Sequence, residues 1–390
     1  MPSKDTVQPA VPILNLALAA DPATRPQLIK DLKHSLLNVG FFYVSNVPIE
    51  GYSQILEDVK AETHHFFDDL SMEDKLAIEM VNSPHFLGYN SFGNEITSDK
   101  VDLREQVDLA TELPAPPKST LTDFEEVWRN MEGPNQWPNS RVLPKFRPVI
   151  EGYIDKMSLF ARWFIELIEE ALDVPKGTFD RFFKRQAQAK LKLIRYPELE
   201  RAAEIPGLPT EAAKAVPVDL QQGVGPHRDQ SFITYIYQAT PHVSLQIQDQ
   251  FSSGKWIDVP PIPDTLVVAV GQTLEYITKE VCTATIHRVV TPEPGLGDRL
   301  SIPFFYNIDN ESIKAQLALP SSLLDLRDER NKARRGESIG FQFLTAADDA
   351  VENQKPIGWT NFLNRIKSHR DVSQRWYPQM LEYVLEQMST

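Results

Sequence analysis

The chain has 390 residues, 42 % of them hydrophobic, which suffices for a large core and leaves both one catalytic domain with helical extensions and two domains open. Its formal net charge of -14 argues against a nucleic-acid or anionic-membrane partner, because a phosphate surface binds through clustered Lys and Arg. One cysteine, Cys282, excludes an intrachain disulfide framework, and with no leader-like or membrane-spanning apolar run the cytoplasm is the expected compartment.

From the N-terminus, Val11 to Leu16 reads as a short strand. Leu28, Leu32 and Leu36 then recur at intervals of four with Pro26 in the first turn, so a helix follows, and Gly40 ends it. Phe41 to Val44 is a second strand. A helix from Ser53 to Leu70 carries Ile55, Val59, Phe66, Phe67 and Leu70 on one side. His64 and His65 lie within it, projecting about 100° apart, a poor chelate, so both are expected at the surface or in packing. Ser71 with Asp74 marks the start of another short helix. Phe86 to Thr97, with its Gly and Asn, reads as a loop or hairpin, and Asp102 to Leu109 alternates as a strand. Proline-rich connectors at 113–117 and 133–138 precede a long helix from Phe146 to Leu172. Its stripe of Tyr153, Met157, Phe160, Phe164, Ile168 and Leu172 is a packing face expected to brace a sheet.

Lys190 to Tyr196 alternates, with Leu191, Leu193 and Arg195 on one face and Lys192, Ile194 and Tyr196 on the other. Glu198 to Gly223 has a short helical pattern near Glu211 to Lys214 and is a candidate lid. Next comes Gly225-Pro226-His227-Arg228-Asp229-Gln230, leading into the strand-like Phe232 to Tyr237. Residues i and i+2 of an extended segment share a face, so His227 and Asp229 can bind one cation from one side. Val243 to Gln248, Trp256 to Pro261 and the wholly apolar Thr265 to Gly271 are further strands. His287 opens another at Ile286 to Val290 and offers a third ligand. Two histidines and a carboxylate make the facial triad that holds non-haem Fe(II) with positions left open. A His-x-Asp pair recurs by chance, and a lone strand histidine is more often a core residue; the sequel raises this one above that background. Arg299 and Ser301 share one face of a strand through Tyr306 and suit a bound carboxylate, which a guanidinium accepts bidentately while a hydroxyl adds a donor. Leu317 to the end is mainly helical, including Trp359 to Ile366 and Tyr377 to Gln387.

His227-x-Asp229, His287-Arg288-Val289 and Arg299-x-Ser301, with Arg195-Tyr196-Pro197 upstream, resemble the Fe(II)/2-oxoglutarate-dependent dioxygenases of the isopenicillin N synthase-like superfamily. Val11 to Leu14 and Gly40 to Asn46 resemble that family's opening strands, and 367–372 with 375–378 resemble a tail of its fungal members, so the likeness spans most of the chain. Many short strands with these ligands imply a mainly β core, a double-stranded β-helix or jelly roll, flanked by N- and C-terminal helices. The resemblance implies a substrate-side cover at 1–145, a catalytic core at 146–316 and a helical extension at 317–390. It further implies Fe(II), 2-oxoglutarate and O2 as cofactors and co-substrates, with Arg299 and Ser301 on the distal carboxylate of the oxo acid. Tyr196 would hydrogen-bond the oxo acid, with a core tyrosine as the competing reading. Phe92, Glu95 and Thr97 would face substrate, since Glu95-x-Thr97 is similar in spacing to an element that grips arginine-like substrates in ethylene-forming relatives. An exposed loop acid is the alternative for Glu95.

Three departures stand out. Arg228 sits where many relatives carry Thr and is expected to turn from the metal. The Pro- and Gly-rich interval from His287 to Arg299 is long, and a register shift there would misdirect Arg299 and Ser301. The isopenicillin-forming enzyme keeps a similar Arg and Ser without using an oxo acid. The implied activity is oxidation of a small organic molecule by hydroxylation, desaturation or cyclisation, in fungal secondary metabolism, with 2-oxoglutarate converted to succinate and CO2. An ethylene-forming or arginine-oxidising relative and a non-catalytic metal-containing binding protein are the alternatives.

Overall fold

Alternation along each extended segment sorts side chains between two faces, and the sorting builds two sheets around two apolar clusters. The computed structural model describes residues 11–97, 100–184, 188–198, 222–292, 295–313, 315–334 and 355–389. Its strands are β1 (Ile13–Asn15), β2 (Phe41–Ser45), β3 (Gly88–Asn90), β4 (Ile96–Thr97), β5 (Lys100–Val101), β6 (Glu105–Ala110) and β7 (Lys190–Tyr196). They continue with β8 (Gln222–His227), β9 (Ile233–Gln238), β10 (Leu245–Gln248), β11 (Trp256–Asp258), β12 (Leu266–Val270), β13 (His287–Val290) and β14 (Arg299–Tyr306). The eight-stranded sheet has the order β1-β2-β12-β9-β14-β7-β6-β3, the four-stranded sheet the order β11-β10-β13-β8, and β4 pairs with β5. Every pairing within the sheets is antiparallel except β1 with β2.

The two sheets face each other as a jelly roll. Tyr43, Ile194, Ile236 and Val267 from the larger sheet meet Val224, Leu245, Ile247 and Val289 from the smaller in one buried cluster. The opposite face of the larger sheet takes the helices. Leu191 and Leu193 of β7 join that second cluster while Ile194 and Tyr196 join the inter-sheet one, so the alternation predicted for this strand holds. Arg195, on the helix side, pairs with Glu105 and, at 2.9 Å, with Asp68.

The helices are α1 (Arg25–His34), α2 (Tyr52–Asp68), α3 (Met72–Ala77), α4 (Phe146–Ala171), α5 (Gln272–Ile277), α6 (Ser321–Lys332), α7 (Ile357–Ser368), α8 (Arg370–Trp376) and α9 (Pro378–Ser389). The stripe of α4 braces the sheet as its periodicity predicts: the ring centroids of Phe160 and Phe164 lie 5.2 and 6.1 Å from that of Tyr235 on β9. Ser71 caps α3 by accepting from Asp74 N at 3.1 Å. His64 and His65 are half exposed and lie beside Asp68 and Glu62 on their own helix. The C-terminal helices form a third apolar cluster, in which Trp359, Phe362 and Tyr377 pack on Phe86 and Trp128. No helix among the described residues is long and apolar enough to cross a membrane.

Two expectations are corrected in detail. The first strand covers only Ile13–Asn15, because the Asn15 side chain accepts from Ala17 N at 3.0 Å and turns the chain into a 3-10 helix, Leu16–Ala20. The helix carrying Leu28 and Leu32 gives way after His34 to a π-helical turn, Ser35–Val39. Gly40 then stops it at φ 65°, where an added Cβ would lie 1.9 Å from Thr283 O. Of the candidate lid, Glu198 to Gly223, residues 199–221 lie outside the described residues.

Phe160 is 3 % exposed and its neighbour Leu159 is 74 % exposed. Phe160→Ala is expected to lower unfolding free energy by about 3–5 kcal/mol, and Leu159→Ala to move it by less than about 0.5 kcal/mol, both read by urea denaturation. Equal effects would contradict the assigned faces of α4.

Candidate metal centre and its cavity

The antiparallel pairing of β13 with β8 sets His287 directly opposite His227. The two imidazole centroids lie 4.2 Å apart. Asp229 follows two residues later, where the chain leaves β8, so its carboxylate swings under both rings. His227 Nε2 lies 3.6 Å and His287 Nε2 3.7 Å from the same oxygen, Asp229 Oδ1. One ligand atom from each of the three residues falls within 4.8 Å of the others.

The remaining polar atom of each ligand has a partner. His227 Nδ1 donates to Gly225 O at 2.8 Å, and His287 Nδ1 donates to Thr285 O at 3.1 Å. A carbonyl only accepts, so both Nδ1 atoms carry a proton and both Nε2 atoms are turned toward the common centre. Asp229 Oδ2 accepts from Thr234 Oγ1 at 2.6 Å, which leaves Oδ1 as the ligand atom. Burial, with the charge of His227 second, lowers the pKa of His287 to about 4, so it is neutral near pH 7. Burial opposes ionisation of Asp229, but His287, His227 and Thr234 together hold its pKa well below the usual carboxylate value. Two imidazoles and a carboxylate, presented from one side with their other atoms engaged, fit the donor set of a non-haem ferrous ion.

A carboxylate that sequence reasoning missed ties the two ligand segments together. Glu275 of α5 accepts from Ala284 N at 3.0 Å, three residues before His287, and its other oxygen lies 3.5 Å from Arg228 Nη1, between His227 and Asp229. Arg228 thus turns to α5, as expected. Asp102 also supports this region, accepting from Gly225 N at 3.3 Å. Single acids in a short helix and a loop carry no motif, so no signal marked either.

The same cavity, about 1190 Å³, is lined by the triad and by Arg299, Ser301 and Tyr196. Arg299 pairs with Tyr196 and Ser301 with Ile194 across β14 and β7, so the long interval before Arg299 leaves the register intact. Arg299 is 1 % exposed, and its guanidinium carbon lies 4.9 Å from the Tyr196 ring centroid. Its Nη2 donates to Gln238 Oε1 at 3.4 Å, while Nη1 is buried without a partner. Burial lowers its pKa from the ordinary arginine value, yet the guanidinium stays charged. A buried cation with an unmet donor is unfavourable until an anion arrives.

The N-terminal candidates are distributed differently. Glu95 lines the cavity, but its carboxylate is engaged by Arg104, by Lys192 at 3.4 Å and by Gln106 Nε2 at 3.2 Å. It is therefore neither an exposed loop acid nor a free one. Phe92 is buried, and the cavity lining does not include it. Thr97 lies on β4 opposite Lys100, and its side chain is not among those described. Lys190, Lys192, Arg365 and His369 line the cavity too and went unassigned. A lysine in an alternating strand reads as solvent-facing, although the Lys367 to Val372 tail that marked the fungal resemblance does contain His369.

Comparisons with known proteins agree with this geometry. Residues 11–140 match the family described as non-haem dioxygenase in morphine synthesis N-terminal, and residues 194–308 match the 2OG-Fe(II) oxygenase superfamily. The 2-oxoglutarate-dependent dioxygenase frbJ of Dothideomycetidae sp. (strain 11243) is 42 % identical over 97 % of this chain and 95 % of its own length. A homoarginine-6-hydroxylase of Glycine max is 28 % identical over 84 % of this chain and 91 % of its own. A full-length Neurospora crassa protein, whose crystal structure is a complex with alpha-KG, shares the fold, with a TM-score of 0.63 and 23 % identity over 85 % of this chain and 98 % of that one. Sequence likeness along nearly the whole chain and a triad built from the matched segment lead to one conclusion: the chain belongs to the 2OG-Fe(II) oxygenase superfamily and is a non-haem Fe(II)- and 2-oxoglutarate-dependent dioxygenase.

Proposed function

We propose that His227, Asp229 and His287 hold the ferrous ion, that Arg299 and Ser301 bind the distal carboxylate of 2-oxoglutarate with Tyr196 beside it, and that the substrate is a small amino acid or related organic acid. The carrying observation is the buried Arg299 guanidinium, whose Nη1 has no partner, in one cavity with the triad. Ferrous iron so held supplies the oxidation, in which O2 and 2-oxoglutarate give succinate and CO2 while the second oxygen atom goes to the substrate or leaves as water. The chain's own part is to position and exclude. Arg299 neutralises the far carboxylate and fixes the direction of the oxo acid, with Ser301 adding a hydroxyl donor. Val224, Ile236, Leu245 and Val289 line the cavity and limit water there.

An amino-acid substrate is supported by the name of the Glycine max relative. A grip by Glu95 on a guanidinium is not, since such a group would have to displace Arg104 and Lys192 from the carboxylate. A place in fungal secondary metabolism accords with the fungal source of the 42 % identical relative. In this reading 1–145 form the substrate-side cover, 146–316 the catalytic core and 317–390 the helical extension, which brings Arg365 and His369 to the cavity.

His227→Ala and Asp229→Ala are each expected to reduce Fe(II)-dependent succinate release to background, with far-UV circular dichroism unchanged. Undiminished release in both variants would remove the triad from the mechanism. Arg299→Met is expected to raise the KM for 2-oxoglutarate about 100-fold or more, corresponding to about 3 kcal/mol for a buried charge-assisted contact. Because that buried guanidinium has only neutral partners and an unmet Nη1 donor in the free protein, the same variant should raise the thermal midpoint of metal- and ligand-free protein. A lower midpoint together with an unchanged KM would place Arg299 in the scaffold alone.

A further inference from the structure

On β7, Lys190, Lys192, Ile194 and Tyr196 follow one another at every second position and face the cavity together. The pairing with β14 puts Arg299 opposite Tyr196, Ser301 opposite Ile194 and Phe305 opposite Lys190. Strand rise separates Lys190 from Tyr196 by about 20 Å, so one wall carries positive charge at both ends. An oxo acid anchored at Arg299 and chelating at the triad occupies one end. The other end is left for a different anion.

The cations at that other end are not equally matched. Lys192 lies 3.4 Å from both Glu95 and Asp108, and Arg104 pairs with Glu95 and, at 3.3 Å, with Asp102. Lys190 meets only neutral oxygens, Met131 O at 2.9 Å and Gln188 Oε1 at 3.1 Å, which leaves one of its three N–H donors. Arg365 of α7 reaches Asp108 Oδ2 at 3.5 Å and His369 Nε2 at 3.0 Å, both through Nη1. Asn364 Nδ2, on the neighbouring residue, is buried with no partner. All three side chains line the cavity. Burial, with the charge of Arg365 next, lowers the pKa of Lys190 to about 7 against the opposing pull of Glu132 and Asp108, and a bound anion would favour its charged form.

We infer that Lys190, Arg365 and Asn364 form a second anion subsite, which takes the carboxylate of the substrate at the end of the cavity away from Arg299. This inference rests on the assignment of Arg299 to 2-oxoglutarate. A singly charged carboxylate suits the subsite better than a phosphate dianion, because Lys190 is the one cation in it without a carboxylate contact. Strand and helix contribute one cation each, so α7 acts in substrate selection as well as in covering the core.

The test is calorimetric titration of Fe(II)- and 2-oxoglutarate-loaded protein, without oxygen, using the common L-amino acids, L-homoarginine and 1-aminocyclopropane-1-carboxylate, each beside its methyl ester. At least one acid is expected to bind tenfold or more tightly than its ester. Lys190→Met and Arg365→Gln should each abolish that preference while the Kd for 2-oxoglutarate moves less than twofold. No acid-over-ester preference anywhere in the panel, or a preference that survives both substitutions, overturns the proposal. Failure of the wild-type protein to bind 2-oxoglutarate would count instead against the role of Arg299, and the comparison on protein loaded with Fe(II) alone would then decide the second subsite.

Discussion

The pairing of His287 with His227 across two antiparallel strands is the contact on which the site depends. Backbone hydrogen bonds bring the imidazoles together, and the carbonyls of Gly225 and Thr285 then determine which nitrogen of each ring is protonated. A main-chain carbonyl cannot change role with pH, so the coordinating tautomer is built into the strand ends. Asp229 completes the arrangement because Thr234 commits one carboxylate oxygen and leaves the other to the centre. Glu275 and Asp102 extend the support outward to the helix and loop that flank the two ligand segments.

Charge is distributed against the chain's overall balance. The protein carries a formal net charge of -14, yet its cavity is lined by Arg104, Lys190, Lys192, Arg299 and Arg365. Some of these cations are balanced by Glu95, Asp102 and Asp108, while Arg299 is left with neutral neighbours. Burying a cation without a carboxylate is unfavourable in the free protein, and a bound acid would offset that cost. Net charge describes the solvent-facing surface and long-range steering, whereas recognition of a small acid is decided by a few desolvated groups whose local sign is opposite.

The helices serve the site indirectly. The stripe of α4 holds the outer face of the larger sheet, and with that face braced, β7 and β14 can present alternate residues inward at a defined register. Gly40 ends the first helical segment against Thr283, and Thr283 and Thr285 in turn donate to Leu37 O and Val39 O. The segment leading to His287 is thereby docked on the N-terminal helix, far from it in sequence.

The sequence by itself determined the elements whose cause is local. Period-four leucines, the Phe160 stripe and the alternation of Lys190 to Tyr196 are readable because helix and strand geometry impose 3.6- and 2-residue repeats on burial. The shared face of Arg299 and Ser301 was legible for the same reason, since i and i+2 on a strand project together, whereas His287 reaches His227 and Asp229 only through the pairing of β13 with β8. Contacts between distant segments were decided only by the tertiary structure. Glu95 looks like a loop acid until Arg104 and Lys192 fold around it, and Lys190 looks solvent-facing until the C-terminal helix brings Arg365 over the same cavity. The physical reason is that a side chain's charge environment is set by whatever packs against it, and packing joins residues that no periodicity relates.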